Sequence, residues 1–528
     1  MTQSERQPGR VSAGWAGVAA VAFGAGLGEL AAAIISPTAS PTASIGSLMI
    51  DLAPPWAKDL AIALFGTLDK IALLTGIAVV LALVAAAAGL LETRRPPWGR
   101  VIVLALGAFG VLAAMTRANA TAVSWLPSVI SAAAAAVALG MIVRRLPRRS
   151  PASVAVSVAA TDATTTPARD GADPDRRRFL VWSVGAAVIG GFAAVGSTVV
   201  RSGSRAATAV RDAIRLPAPA TTAAPVPAGA ELNIEGLTPV ITPNDQFYRI
   251  DTALIVPQVD PAEWSLRIHG MVEEEITIGW DELLALPLEE SVTTLTCVSN
   301  DVGGDLIGNA LWLGYPIRQL LERARPTSGA DMVLSRSIDG FTASSPIEAL
   351  TDDRNAILAV AMNGDPLPAE HGFPVRMVVP GLYGYVSATK WVVEMEVTTF
   401  ADATAYWTDR GWSERGPIKL QSRIDVPRSG SVLAAGDTVI AGVAWQQHVG
   451  ISGVEVQIDG GDWQDATLAT AISDDTWVQW SLPWAAASGE HTIRCRATNV
   501  EGETQTSDVQ GVVPDGATGW DELSIRVS

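Results

Sequence analysis

The sequence predicts a chain in three parts: an α-helical membrane region of five spans, an α+β domain, and an all-β sandwich of immunoglobulin-like type. Three observations predict it. Five nearly charge-free stretches rich in Ala, Val, Leu and Gly come before residue 201. From about 231 to 400 strand and helix patterns are interleaved, and beyond about 420 only short alternating strands remain.

The apolar stretches are 11–35, 71–91, 100–116, 122–143 and 179–200, each long enough as a helix to cross a hydrocarbon core of roughly 30 Å. Basic residues orient them. Arg6 and Arg10 precede the first span, Arg94, Arg95 and Arg100 lie between the second and third, and Arg144, Arg145, Arg148 and Arg149 follow the fourth. With the N-terminus inside, all of these are cytoplasmic, while the outer loops carry only Lys58, Lys70 and Arg117. Arg201, Arg205, Arg211 and Arg215 fall on the other side, where the rule is weak because a long domain must cross. Five spans then put everything after residue 200 outside, in a multi-pass protein of the cell membrane embedded in lipid. Glu29 and Asp69 are acids in or beside these stretches; intramembrane acids are functional candidates by default, but near helix ends snorkelling to the interface accounts for them better.

Two segments lack the composition to fold. Residues 150–175, SPASVAVSVAATDATTTPARDGADPD, cannot bury a core, and 216–230, LPAPATTAAPVPAGA, suits a semi-extended spacer just outside the membrane. The chain therefore divides as four helices (1–149), a cytoplasmic linker (150–175), a basic motif with the fifth span (176–200), an outer linker (201–230), the α+β domain (231–415) and the sandwich (416–528). Before the fifth span stands DRRRFLVWSVGAAVIGG. Arg176, Arg177, Phe179 and Leu180 there resemble a twin-arginine export signal, set inside the chain rather than at its start. The plainer reading is a basic cap on a membrane helix. An export signal of that kind moves folded proteins, which is needed when a cofactor is inserted before crossing.

In the α+β part WSLRIHG, EEITIG, DMVLSRS and WVVEMEV alternate as strands, WDELLAL and YPIRQLLERA read as short helices, and Gly340–Phe341 and Asn363–Gly364 sit in turns. In the sandwich DTVIAGVAW, GVEVQIDGG, TWVQWSL and HTIRCRATN are the strands. Cys495 shares a face of the last with Ile493 and Ala497, so it belongs to the core.

Net charge is −17 and the pI about 4.7, which leaves no basic footprint for nucleic acid. Cys297 and Cys495 are the only cysteines, so at most one disulfide can form. Cys297 stands in TTLTCVSNDVGGDLIGNALWLGYPIRQLL, at the exit of a β-branched strand, before polar and glycine-rich residues and then an apolar run that reads as a helix. A free Cys usually just packs. A structural zinc or iron–sulfur site is excluded on ligand count, since no second Cys is near. A nucleophile would want a base from among His269, His371, His448 and His491. A single thiolate completing a metal whose other ligands come from an organic cofactor fits better.

TTLTCVSN, HGFPVRMVVPGLYGYVSATKW and the C-terminal sandwich together resemble the sulfite oxidase family of molybdopterin enzymes over roughly residues 235–528. The resemblance implies a molybdopterin-binding domain at 231–415 and an immunoglobulin-like dimerisation domain after it. By position, Cys297 would be the sole protein ligand to molybdenum, beside two dithiolene sulfurs of one pterin. His371 and Arg376 match the pterin-binding pair of HGFPVR, and Ser387, Ala388, Thr389 and Lys390 match the loop at the phosphate end. PNDQFYRID matches the segment whose Asn244, Tyr248 and Arg249 approach cofactor and substrate. Two departures stand out. Trp412 falls where the family has a Tyr near the metal, and Asp251 replaces a His, placing a carboxylate where it would repel sulfite.

The resemblance implies a membrane-anchored, extracytoplasmic molybdenum oxidoreductase performing two-electron oxygen-atom transfer on sulfite, a sulfoxide or another oxyanion. Arg249 and the metal would stabilise the anionic substrate. No haem is expected, because all four histidines lie beyond residue 268, so electrons pass to a separate partner, a quinone or a haem protein. The alternative is a non-enzymatic surface protein that binds through its sandwich. A transporter or sensor has little support, since intramembrane charge is scarce.

Overall fold

In lipid, every peptide group of a spanning segment must find its partner within that segment, so Ala- and Leu-rich runs form helices there. The computed structural model describes residues 10–36, 39–53, 69–117, 120–146, 181, 184–186, 188–191 and 210–528. It places α1 at Arg10–Ile35, a short α2 at Pro41–Leu52, α3 at Asp69–Arg94, α4 at Trp98–Met115 and α5 at Leu126–Val143. All but α2 are long and apolar enough to cross a membrane, which makes four candidate spans among the described residues rather than five. Arg176, Arg177, Phe179 and Leu180 lie outside the described residues, as does most of 179–200. Contact-wise the chain forms two units, Met1–Ala206 with Ala253–Ile255, and Ala207–Thr252 with Val256–Ser528.

Small residues let the first unit's helices meet backbone to backbone. A Cβ on Gly17 would collide with the Ala85 carbonyl, and one on Gly24 with that of Ser131. Glu29 does not snorkel. It is buried, and its carboxylate accepts the Ser40 hydroxyl at 2.8 and 3.0 Å and the Thr42 amide at 3.0 Å. The reason is that the start of α2 leaves N–H donors with no helical acceptor, and an anion satisfies them. Glu92, not singled out from the sequence, is likewise buried and accepts the Arg100 amide (3.0 Å) and Nε (2.8 Å).

The second unit begins with a mixed domain of β1 (Ser265–Gly270), β2 (Ile276–Gly279), β3 (Glu289–Thr296), β4 (Ile307–Pro316), β5 (Met332–Ser337), β6 (Thr342–Pro346), β7 (Ile357–Met362), β8 (Asp365–Pro366), β9 (Arg376–Val378) and β10 (Val392–Thr398). One sheet runs β2–β1–β10–β5–β6 with β1 and β10 parallel; the other runs β3–β4–β7–β8 with β9 added against β7. The short helices Trp280–Ala285 and Ile317–Ala324 fall where the sequence placed them. The apolar run after the glycines is corrected: Ile307–Pro316 is a strand, and the helix starts only at Ile317. β4 is buried on almost every residue, so it lacks the alternation that marks a half-exposed strand. The Asn363–Gly364 turn joins β7 to β8 with both residues at positive φ (52° and 86°), the geometry in which Asn-Gly excels.

The C-terminal part packs two sheets face to face. One is β11 (Gln421–Val426), β13 (Gly436–Trp445), β17 (Val478–Ala486) and β16 (Thr467–Leu468) in that order; the other is β12 (Val432–Leu433), β19 (Asp521–Val527), β18 (Gly489–Asn499), β14 (Ile451–Ile458) and β15 (Trp463–Asp465). Ile440 and Trp480 meet Val456, Ile493 and Cys495 between them. Both cysteines are free and buried. The proposed outer spacer is extended but docked: Ala220 N donates to Leu288 O at 2.7 Å, Glu290 N to Thr221 O at 2.9 Å, and Thr470 N to Gly229 O at 3.0 Å. Its backbone thus finds partners along the start of β3 and in the sandwich instead of in water.

Candidate active site

β3 delivers Cys297. The strand's β-branched residues are buried, and at Cys297 the chain leaves it for a ten-residue excursion, 297–306, closed by Cys297 N donating to Leu306 O at 2.9 Å. Asn300 fastens that loop twice, its amide donating to Cys297 O (3.1 Å) and its Oδ1 accepting Leu306 N (2.8 Å). The thiol is 8% exposed and accepts the Ser299 amide at 3.4 Å. Burial pushes its pKa up, against the pull of the Ser299 bond and the Lys390 charge.

HGFPVR forms the facing wall. A single 3₁₀ turn, Ala369–His371, ends at Gly372, whose φ of 113° suits only glycine and whose missing Cβ would press on the Cβ atoms of Arg376 (2.9 Å) and Lys390 (3.2 Å). His371 Nε2 donates to the Asn244 carbonyl at 3.1 Å. Burial, with the charges of Arg376 and Lys390, lowers its pKa to about 4, so the ring is neutral. Arg376, 5% exposed, donates to His371 O (3.2 Å) and Met377 O (3.3 Å) and lies over the Trp312 ring at 5.1 Å. Among the described residues it has no carboxylate partner, and burial lowers its pKa to about 10. Lys390 donates to Asp251 Oδ2 (2.8 Å) and Glu370 O (3.1 Å), and burial lowers its pKa to about 8 despite Asp251.

Tyr248, Cys297, His371, Arg376, Ala388 and Lys390 all line one pocket, with about 850 Å³ of open space including its mouth. Burial raises the Tyr248 phenol strongly. The other candidates stand behind the wall. Asn244 accepts Asn363 Nδ2 at 2.8 Å and donates to Met362 O at 3.3 Å, pinning the Asn-Gly turn. The Ser387 hydroxyl donates to Leu382 O and Tyr383 O, and the Thr389 hydroxyl pairs with Ser335 at 2.7 Å, so both hold the loop. Arg249 is 41% exposed and bonded to Asp251 Oδ2 at 2.8 Å, away from the pocket lining.

Asp251 changes meaning in three dimensions. It lines the pocket, yet it is bridged by Arg249 and Lys390, two cations on one carboxylate, so it anchors Lys390 rather than presenting a bare negative charge. Trp412 does line the pocket, and Trp407 joins it with ring centroids 6.1 Å apart. Tyr385, also on the wall, donates its hydroxyl to Ser413 O at 2.8 Å. Sequence reasoning passed over Trp407, Tyr385, Phe341 and Asp339; the one signal was a second Trp in AYWTDRGW. Among the described residues no three His, Cys, Asp or Glu side chains cluster to hold a metal ion. A metal beside Cys297 would need its other ligands from a bound molecule, and a buried guanidinium calls for an anion.

Residues 253–407 match the model of the oxidoreductase molybdopterin binding domain. The mitochondrial sulfite oxidase of Mus musculus is 30% identical over 352 residues, covering 56% of this chain and 63% of that protein. The chain thus spans under two thirds of that relative's length. The uncharacterized oxidoreductase YuiH of Bacillus subtilis is 31% identical over 157 residues, 30% of this chain and 76% of that protein. Among solved structures, the sulfane dehydrogenase SoxCD of Paracoccus pantotrophus aligns over 51% of this chain and 75% of its own, at 23% identity and a TM-score of 0.46. The matched segment contains Cys297, HGFPVR and Lys390, and together with the mouse and Bacillus subtilis relatives it establishes that the chain belongs to the sulfite oxidase family of molybdopterin-dependent oxidoreductases.

Proposed function

We propose that the chain is a membrane-anchored molybdenum oxidoreductase performing two-electron oxygen-atom transfer on sulfite, a sulfoxide or another small oxyanion. The observation that carries this reading is a lone buried thiol sharing a pocket with a buried guanidinium that has no carboxylate partner among the described residues. That donor set fits molybdopterin. A thiolate suits a soft or high-valent metal, and a guanidinium and an ammonium suit a phosphate and polar heterocycle. Cys297 would ligate the metal, and His371, Arg376 and Lys390 would hold the pterin and phosphate, with Asn244, Ser387 and Thr389 bracing the turns that present them. When bound, the cofactor supplies the oxygen-atom chemistry itself. The chain's residues do the rest. Neutral His371 keeps its proton on Nε2 and leaves Nδ1 as an acceptor. Trp407, Trp412 and Phe341 make the pocket wall apolar and limit water there. Arg249, at the exposed end of the Asp251 bridge and outside the pocket lining, would meet an anion on its way in rather than inside the pocket. The test is molybdenum and pterin analysis of the purified chain, then turnover of sulfite and dimethyl sulfoxide with an artificial dye. Protein from a cofactor-competent host that carries no molybdenum would refute the reading.

The Lys390 ammonium is present below about pH 8 and lost above it, because burial has depressed its pKa. A phosphate held by it should be released more readily as pH rises through that value. Cofactor retention on gel filtration is therefore expected to fall between about pH 7 and 9, and Lys390→Arg, charged throughout, should flatten the decline. A decline of the same size in both proteins would assign it to another group.

We place the catalytic unit outside the membrane, with 231–415 as the molybdopterin domain, 416–528 as an immunoglobulin-like dimerisation domain, and a quinone or haem protein as redox partner. Arg176 and Arg177 before an Ala/Gly-rich stretch support export of a folded domain. Replacing both with Lys should protect residues 231–528 from protease added to intact cells. Equal cleavage of variant and parent would reject the export reading.

A further inference from the structure

Cys297 is flanked on both sides by bonds that come from the sandwich, in addition to those from its own domain. Side chains alternate along β3, so Leu295 and Cys297 face the pocket side while Thr294 and Thr296 face the other way. There Gln447, in the loop after β13 and 2% exposed, donates from Nε2 to the Thr296 hydroxyl (2.8 Å) and the Thr294 carbonyl (3.2 Å). The Thr294 hydroxyl in turn accepts the Trp477 amide at 2.9 Å, and Thr294 N donates to Asp475 O at 3.0 Å. Beyond Cys297, Arg423 of β11 donates from Nη1 to the Gly304 carbonyl at 2.7 Å. Its charge is already met by Asp425 at 2.7 Å and its Nη2 by the Thr238 hydroxyl at 3.0 Å, so the bond to the loop is additional to what Arg423 needs. Gly303, at φ 74°, lies so close to Asp521 of β19 that a Cβ would collide with that carboxylate.

We infer that Gln447 and Arg423 are positioning residues for Cys297: the sandwich grips the residue before it and the loop after it, and so fixes where the thiol points. This rests on the reading of Cys297 as the metal ligand. A ligand must hold its place without the metal's help if the site is to be formed in advance, and groups that orient ligands from outside typically matter about 10–100-fold. The sandwich thereby contributes to the chemistry of a pocket to which it lends no lining residue.

The test uses the full chain purified without cofactor, alkylated with iodoacetamide at one pH and mapped by peptide mass spectrometry. Cys495, fully buried in the sandwich core, serves as the internal reference. Thr296→Val removes the hydroxyl that Gln447 holds but keeps the β-branched shape, and Gln447→Met removes the donor at similar volume. Each should raise Cys297 alkylation about tenfold or more with Cys495 unchanged. Thr296→Ser, which restores the hydroxyl, should return the rate to that of the parent. Unchanged Cys297 reactivity in both variants, or a parallel rise at Cys495, would overturn the inference. If the rates move as expected but Cys297→Ser still retains molybdenum and turnover, the positioning stands and the metal-ligand reading fails.

Discussion

Cys297→Ser is expected to lower turnover at least about 100-fold while pterin stays bound. The two effects separate because the contacts that would hold the pterin are elsewhere: His371, Arg376 and Lys390 form the facing wall, with Arg376 fixed by main-chain carbonyls and Lys390 by Asp251. Serine fills nearly the same space, so the loop closed by Cys297 N and Leu306 O should survive. Its hydroxyl, however, is a hard and very weakly acidic ligand in place of a soft thiolate. Burial raises the pKa of the Cys297 thiol, so in the cofactor-free protein it is held protonated and metal binding must displace that proton. Molybdenum content, pterin fluorescence and dye-linked turnover read the three quantities independently. Full activity in the variant would sink the ligand assignment, and loss of pterin together with metal would show that the thiol helps hold the organic part as well.

Much of this was legible because local pattern and local chemistry agree there. The strands of the sandwich alternate, the Asn363–Gly364 pair carries its own turn, and the lone Cys at the end of a Thr-rich strand lies where a pocket opens. Legibility failed where a residue's meaning depends on a distant partner. Asp251 read as a repulsive charge, but Lys390, 139 residues away, and Arg249 turn it into a bridge. Ser387 and Thr389 read only as part of the loop at the phosphate end; that their hydroxyls hold the loop to Leu382, Tyr383 and Ser335 depends on partners the local pattern does not show. Glu29 read as a snorkelling acid until the start of α2 came to meet it. β4 failed for another reason, since a strand buried on both faces has no period to read.

Arg376→Met is expected to reduce bound pterin at least about tenfold and yet cost the cofactor-free protein little or no stability. The second half is the unusual one. Burial has brought the guanidinium from its ordinary value down to about 10, which corresponds to roughly 3 kcal/mol of unfavourable charge burial. The sign follows from the direction. With the folded value below the unfolded one, the penalty is in full force at neutral pH and fades only as pH rises above about 10. No carboxylate among the described residues offsets it; what does are two main-chain carbonyls and the face of Trp312. Methionine removes the charge, keeps an apolar chain against the ring, and gives up two hydrogen bonds worth about 1 kcal/mol each or somewhat more. The two changes nearly cancel without cofactor. With cofactor they do not, because an anion beside Arg376 would turn the buried charge from a liability into a charge-assisted contact. Thermal melting with and without cofactor, read beside pterin content, separates the cases. A melting temperature that drops by more than about 5 °C in the cofactor-free variant would show that Arg376 is a structural residue satisfied by the protein alone, and retained pterin would remove it from the binding site.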